Sequence, residues 1–200
     1  MKASIFSSIP NSSFLIPNFL PAHLSKSLKI GSKFVMGNEK KSLYLESTIP
    51  SYITAKESKD VIKAARQSMT KIFWEQERAK YRLIVSQYVI DECKLGNPEA
   101  AQKRLALIAN IPVLEESDEV NRLAAVYQNL LGIPYKAKTD SFHLAICVVA
   151  KVHFLLIWNC AHLGINAYIK IRDYNDKHGL WTPLLVTPEY FLNLDDGEDE

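Results

Sequence analysis

From Leu43 onward the chain alternates short apolar runs with longer amphipathic ones, and this alternation limits the available folds more than any other feature. "SLYLE" (42–46), "YRLIVS" (81–86), "IPVLE" (111–115), "HFLLIW" (153–158) and "PLLVTP" (183–188) have the length and apolar content of strands. Helical patterns fill the gaps. "SKDVIKAARQSMTKIFWEQERAK" (58–80) places Val61, Ile62, Ala65, Met69, Ile72 and Phe73 at helical spacing, which predicts an apolar inward face. "QYVIDECKL" is a helix stopped by Gly96, and Pro98 opens the next, "PEAAQKRLALIAN". "SDEVNRLAAVYQNLLG" carries a Ser117 cap, Asp118 and Glu119 in its first turn and Gly132 at its end. "AKTDSFHLAICVVAKV" reads as a largely buried helix, and "LGINAYIKIRDYNDKHG" as another. Strands separated by helices require crossover connections, so the expected fold is α/β: a mainly parallel sheet covered on both faces. In such sheets the functional crevice lies at the carboxyl ends of the strands, near a switch in strand order.

Composition narrows the function less. With 200 residues, 48% of them hydrophobic, one domain with a sizeable core is the default. The net charge of +2 is unevenly spread: residues 1–35 hold four lysines (Lys2, Lys26, Lys29, Lys33) and no acid, and the tail "LDDGEDE" holds five acids. The body between them is near +3, which neither announces nor excludes a nucleic-acid binder. Cys93, Cys147 and Cys160 are odd in number and widely spaced, so neither a disulfide framework nor a zinc site follows, and small buried residues in a reducing, cytoplasmic compartment are expected. No apolar run approaches membrane-spanning length. The first 35 residues are rich in Ser, Pro and Asn. Pro17 and Pro21 break the apolar region a secretory signal needs, and a transit peptide fits the serines but not the missing arginines. Translation starting at Met36 is a further reading of that segment.

Four polar groups fall on one edge of the expected sheet. Glu46 follows "LYL" directly, with no turn residue to carry it to solvent, and Asn159 ends "FLLIW" in the same way. Glu92 lies in the second turn of the helix after "YRLIVS". Asp140 sits in the first turn of "KTDSFHLA", with His143 three residues on and on the same face. Each has an ordinary reading: a solvated strand end for Glu46, a surface acid for Glu92, a helix-start residue for Asp140 and a turn former for Asn159. Taken together they suggest more. Carboxylates held close repel one another unless a cation neutralises them, and oxygen ligands suit Mg²⁺ or Mn²⁺. A carboxylate pocket holding hard cations is equipment for hydrolysing phosphodiesters.

"LYLESTIPSYITA", "SQYVIDE", "TDSFHLAI" and "LLIWNCAHL", in that order, resemble a PIN domain, most closely the VapC-type toxin ribonucleases and their bacterial relatives. The resemblance implies a three-layer α/β/α fold with a five-stranded sheet of order 3-2-1-4-5. It also implies an Mg²⁺- or Mn²⁺-dependent endoribonuclease acting on RNA, with Glu46, Glu92 and Asp140 as metal ligands and Asn159 at the fourth catalytic position. A homodimer and a small antitoxin protein as partner come with it. The family usually has Asp where Glu46 stands and an acid where Asn159 stands, so a catalytically weakened RNA-binding or interaction module, or a non-toxin RNA-processing nuclease, are the alternatives. Ser47 and Thr48 are candidate accessory groups that orient a ligand or water, or else surface turn residues. His143 and His162 are accessory candidates or satisfied structural histidines. Lys136, Lys138, Lys170 and Arg172 are candidates to follow an RNA backbone, or solvated helix faces. The resulting domain plan is a disordered or spurious extension at 1–40, a PIN-like nuclease domain at 41–193 and an acidic tail at 194–200.

Overall fold

The computed structural model of the chain describes residues 39–134, 138–158 and 163–192. Five strands form one sheet: β1 (Ser42–Leu45), β2 (Arg82–Ser86), β3 (Val113–Leu114), β4 (Phe154–Leu156) and β5 (Leu184–Val186). Every pairing is parallel, and the order is β3-β2-β1-β4-β5. This is the order that the resemblance implies. β1 is the centre of the sheet, with Leu43 opposite Leu83 on one side and Phe154 on the other. All four of its residues are buried, as a parallel strand covered on both faces must be.

The helices are α1 (Thr48–Thr54), α2 (Val61–Ile72), α3 (Gln87–Lys94), α4 (Pro98–Ile108), α5 (Asp118–Leu131), α6 (Lys138–Val149), α7 (Ile165–His178) and α8 (Pro188–Leu192). Crossovers of the usual right hand from β1 to β2 to β3 would put α1–α4 on one face. The return through β4 to β5 would then put α5–α7 on the other. The packing agrees: α5 lies on α6 and α7, while α1 lies on α2 and α4, and α2 on α8. Local signals set the ends. Asp60, Asn97 and Ser117 each accept a backbone N–H of the first turn they precede, and Gly132 and Gly179 take left-handed conformations just past α5 and α7. Cys93 and Cys147 are buried free thiols; Cys160 lies outside the described residues. No helix among the described residues is long and apolar enough to cross a membrane.

One expectation fails. The face of α2 predicted to be inward is largely outward: Val61 is 80% exposed and Ile62 67%. The buried positions are Gln67 and Thr70, followed by Phe73 and Glu77 in a π-helical turn (Phe73–Glu77) that continues the helix. The reason is that the polar inward residues have dedicated partners. Thr70 Oγ1 accepts the indole N–H of Trp158 at 2.8 Å. Gln67 accepts from Ser58 N at 2.9 Å and donates to Lys56 O at 3.0 Å. Satisfied hydrogen bonds remove the usual cost of burying such groups, and apolar spacing alone does not reveal them.

This arrangement predicts that Thr70→Val, despite its matching volume, lowers stability by about 1–3 kcal/mol, because the buried Trp158 N–H is left without an acceptor. Ile62→Lys should stay within about 0.5 kcal/mol of the parent. Urea unfolding midpoints check both. A neutral Thr70→Val beside a costly Ile62→Lys would restore the apolar face of the sequence reading.

Candidate active site

The order reverses between β1 and β4, and the carboxyl ends of these two strands open the crevice where an α/β sheet holds its ligands. Glu46 is the first residue past β1. Its backbone N–H continues the ladder to Leu156 O at 3.0 Å, and its carbonyl accepts the Ile49 N–H at 3.0 Å. With the main chain held on both sides, the side chain turns inward and is only 3% exposed. The "EST" sequence explains how a carboxylate survives there. Oε1 accepts the Ser47 hydroxyl at 3.0 Å, and Oε2 accepts both the Thr48 N–H at 3.0 Å and the Thr48 hydroxyl. Thr48 Oγ1 in turn accepts the backbone N–H of Trp158 at 3.2 Å, which ties the end of β4 to that of β1.

Glu92 approaches from α3, and His143 from α6. His143 Nε2 lies 3.1 Å from Glu92 Oε2, and Nδ1 lies 2.7 Å from the Tyr44 hydroxyl, which is 2.6 Å from Ser86 Oγ. One ligand-type atom from each of Glu46, Glu92 and His143 falls within a group no more than 4.8 Å across. At an effective dielectric of about 20, two carboxylates at that distance repel by roughly 3.5 kcal/mol, lessened here by the solvent that reaches Glu92. None of the ion pairs among the described residues brings a Lys or Arg to either carboxylate.

Charge distributes accordingly. Burial works to raise the Glu92 pKa, but the hydrogen bond and charge of His143, with help from the Ser47 hydroxyl, bring it below the ordinary value. Ser47 has one hydrogen and two carboxylates within its influence, so it serves one at a time; the 3.0 Å contact is to Glu46. Burial works to lower the His143 pKa, yet Glu92, Glu46 and Asp140 together raise it above the ordinary value. Burial pushes the Tyr44 phenol well up, so Tyr44 is neutral.

The structure thus brings together Glu46, Glu92 and His143, with Ser47 and Thr48 holding Glu46. Asp140 is buried in the first turn of α6 and near enough to act on His143, but it stands outside the 4.8 Å group. Lys170 and Arg172 are exposed on α7, and Lys138 is exposed at the start of α6. Asn159, His162 and Lys136 lie outside the described residues. Tyr44 and Ser86 were missed by sequence reasoning, though one signal existed: a Tyr inside a central strand needs a partner for its hydroxyl.

No protein-family model matches the chain, and no curated protein matches it. Among solved structures it is similar to Mycobacterium tuberculosis VapC20, described as a Sarcin-Ricin loop cleaving toxin. That match has a TM-score of 0.48 and 11% identity over 60% of this chain and 92% of that one. It is also similar to VapBC2 from Rickettsia felis bound to a DNA fragment from their promoter. Here the TM-score is 0.49 and the identity 13%, over 73% of this chain and 98% of that one.

The shifts give a pH dependence for the metal-free protein. The raised His143 contributes stability that is fully present below its ordinary value of 6.5 and is lost as pH rises through its folded value. The lowered Glu92 contributes stability that is present above its ordinary value of 4.5 and is lost as pH falls through its folded value. Urea midpoints in chelator should therefore peak between the two and decline on the alkaline side. Glu92→Gln should flatten that decline; an unchanged slope would assign it to other groups.

Proposed function

We propose that this chain is a PIN-type endoribonuclease that hydrolyses RNA phosphodiesters with Mg²⁺ or Mn²⁺, and that it is the toxin of a toxin–antitoxin pair. The observation that carries the reading is the convergence of Glu46 and Glu92 at the reversal point of the sheet, with no Lys or Arg paired to either among the described residues. Such a donor set fits a hard divalent cation, for its open atoms are carboxylate oxygens. The four motifs that resemble the family supply the rest: RNA as substrate, a small antitoxin protein and a second copy of the chain as partners, and the cytoplasm as the place of action.

In this reading Glu46, Glu92 and Asp140 hold the ion, and Asn159 adds a neutral oxygen in the fourth position. The chemistry an ion supplies in such a pocket is activation of water and stabilisation of the leaving oxygen. The chain's own part is positioning. Three hydrogen bonds from Ser47 and Thr48 fix both oxygens of Glu46, so its remaining lone pair points in one direction. Asp140 adds negative charge in the first turn of α6, near enough to raise the His143 pKa.

Asn159 favours a second reading, a weakened site that binds RNA and cuts poorly, because a carbonyl replaces a charged ligand. Total RNA incubated with the purified protein distinguishes the two. Cleavage that requires Mg²⁺ or Mn²⁺, stops in chelator and falls at least about tenfold in Glu92→Gln and Asp140→Asn, roughly 1.4 kcal/mol of barrier, is the expected outcome. Cleavage indifferent to chelator would overturn the proposal. RNA binding without cleavage, converted to cleavage by Asn159→Asp, would establish the weakened module.

A further inference from the structure

We infer that His143 is a positioning residue that aims Glu92 and is not itself a ligand, so that the cation site is built from oxygen atoms alone. The inference rests on the proposed metal site. It settles a choice which the distances leave open, since Glu46, Glu92 and His143 stand close enough to be three ligands of one ion.

The hydrogen inventory makes the choice. An ionised carboxylate can only accept, so the 3.1 Å contact between Nε2 and Glu92 Oε2 places a hydrogen on Nε2. A ring nitrogen that carries hydrogen has no lone pair to give a metal. Nδ1 of the neutral ring is then an acceptor, and the group facing it at 2.7 Å is the Tyr44 hydroxyl, whose one hydrogen it takes. The Tyr44 oxygen is left to accept from Ser86 Oγ at 2.6 Å. Ser86 is available because it stands at the N-cap of α3 yet makes no side-chain capping bond there. Every hydrogen is assigned in one direction, from Ser86 through Tyr44 and His143 to Glu92.

The hydrogen on Nε2 does not depend on the protonation state of the ring. A second hydrogen on Nδ1 would be donated to the Tyr44 oxygen, and Tyr44 would turn its own hydrogen to Ser86. Nε2 would still donate to Glu92. Nor is the ring free to leave: His143 is fully buried, its ring 5.7 Å from that of Tyr44 and edge-on to Tyr88 at 6.5 Å. Coordination through Nε2 would require moving its hydrogen to Nδ1 and breaking the bond to Glu92. Residues that orient a ligating carboxylate in this way typically change metal affinity by about 10–100-fold when removed. A site of oxygens alone suits hard ions such as Mg²⁺ and Mn²⁺ and lacks the nitrogen donor that would favour Zn²⁺.

Nitrogen-15 NMR of the histidine-labelled full chain tests this directly. The expected spectrum shows a hydrogen on His143 Nε2 in chelator and the same hydrogen when the protein is saturated with Mg²⁺. Loss of that hydrogen on adding Mg²⁺ would make His143 a ligand and overturn the inference. Tyr44→Phe, which keeps the ring but removes the hydroxyl, provides the second measurement. It should weaken Mg²⁺ binding by calorimetry about tenfold with Glu46 and Glu92 both intact. Unchanged Mg²⁺ affinity in a folded Tyr44→Phe would also overturn the inference, since the hydroxyl would then only fill the core. If the unmodified protein bound neither Mg²⁺ nor Mn²⁺, the metal site itself would fall. Bound Mg²⁺ with a lost Nε2 hydrogen would remove only the role given to His143.

Discussion

A carboxylate buried at the end of the central strand is the constraint on which the rest of this structure turns. Glu46 is 3% exposed and has no cationic side chain beside it among the described ion pairs, so its charge must be carried by dipoles. The chain meets the demand with the next two residues: Ser47 and Thr48 give one hydroxyl each, and Thr48 adds its backbone N–H. Charge-assisted bonds of this kind are about twice as strong as neutral ones. They also explain why α1 begins where it does, since the backbone must turn at once to bring Thr48 N–H onto Glu46.

The second buried polar system crosses the layers. Ser86 ends β2, Tyr44 lies in β1, His143 in α6 and Glu92 in α3, so one line of hydrogen bonds joins two neighbouring strands to two helices. Such a line stabilises only when every member is satisfied, because low dielectric strengthens good bonds and penalises missing ones alike. It also has one admissible geometry. An apolar core tolerates sliding between α6 and the sheet, whereas this line fixes α6 against β1 at the depth where Glu92 and Glu46 approach each other.

Much of the fold was legible because strand and helix periodicities do not depend on tertiary partners. "SLYLE", "YRLIVS" and "HFLLIW" lie where the sheet runs, and Ser117 and Gly132 bound α5 through local chemistry. Of the candidate site, the inward carboxylate was legible where a charge directly follows an apolar run, as at Glu46. Two kinds of information were not local. The inward face of α2 carries Gln67 and Thr70, and nothing near them in sequence announces that Trp158 and the Lys56–Ser58 turn supply their partners. His143 could be read only as an accessory candidate or a satisfied structural histidine, because its partners are Tyr44 and Glu92, 99 and 51 residues away in the chain.

Trp158 shows why fold and site cannot be separated here. Its backbone N–H bonds Thr48 Oγ1, the oxygen that donates to Glu46, while its indole N–H bonds Thr70 on α2. Arg66, one turn back on α2, lies over the same ring at 5.3 Å, and the Tyr52 ring of α1 is 6.3 Å away. A shift of α2 would therefore move Trp158, then the hydroxyl of Thr48, then the carboxylate, through three hydrogen bonds and one rigid ring. The inward polar residues of α2 follow from this coupling. An aliphatic side chain at position 70 would pack as well against the ring, but it would let the indole rotate, and the orientation of Glu46 would no longer be held from behind.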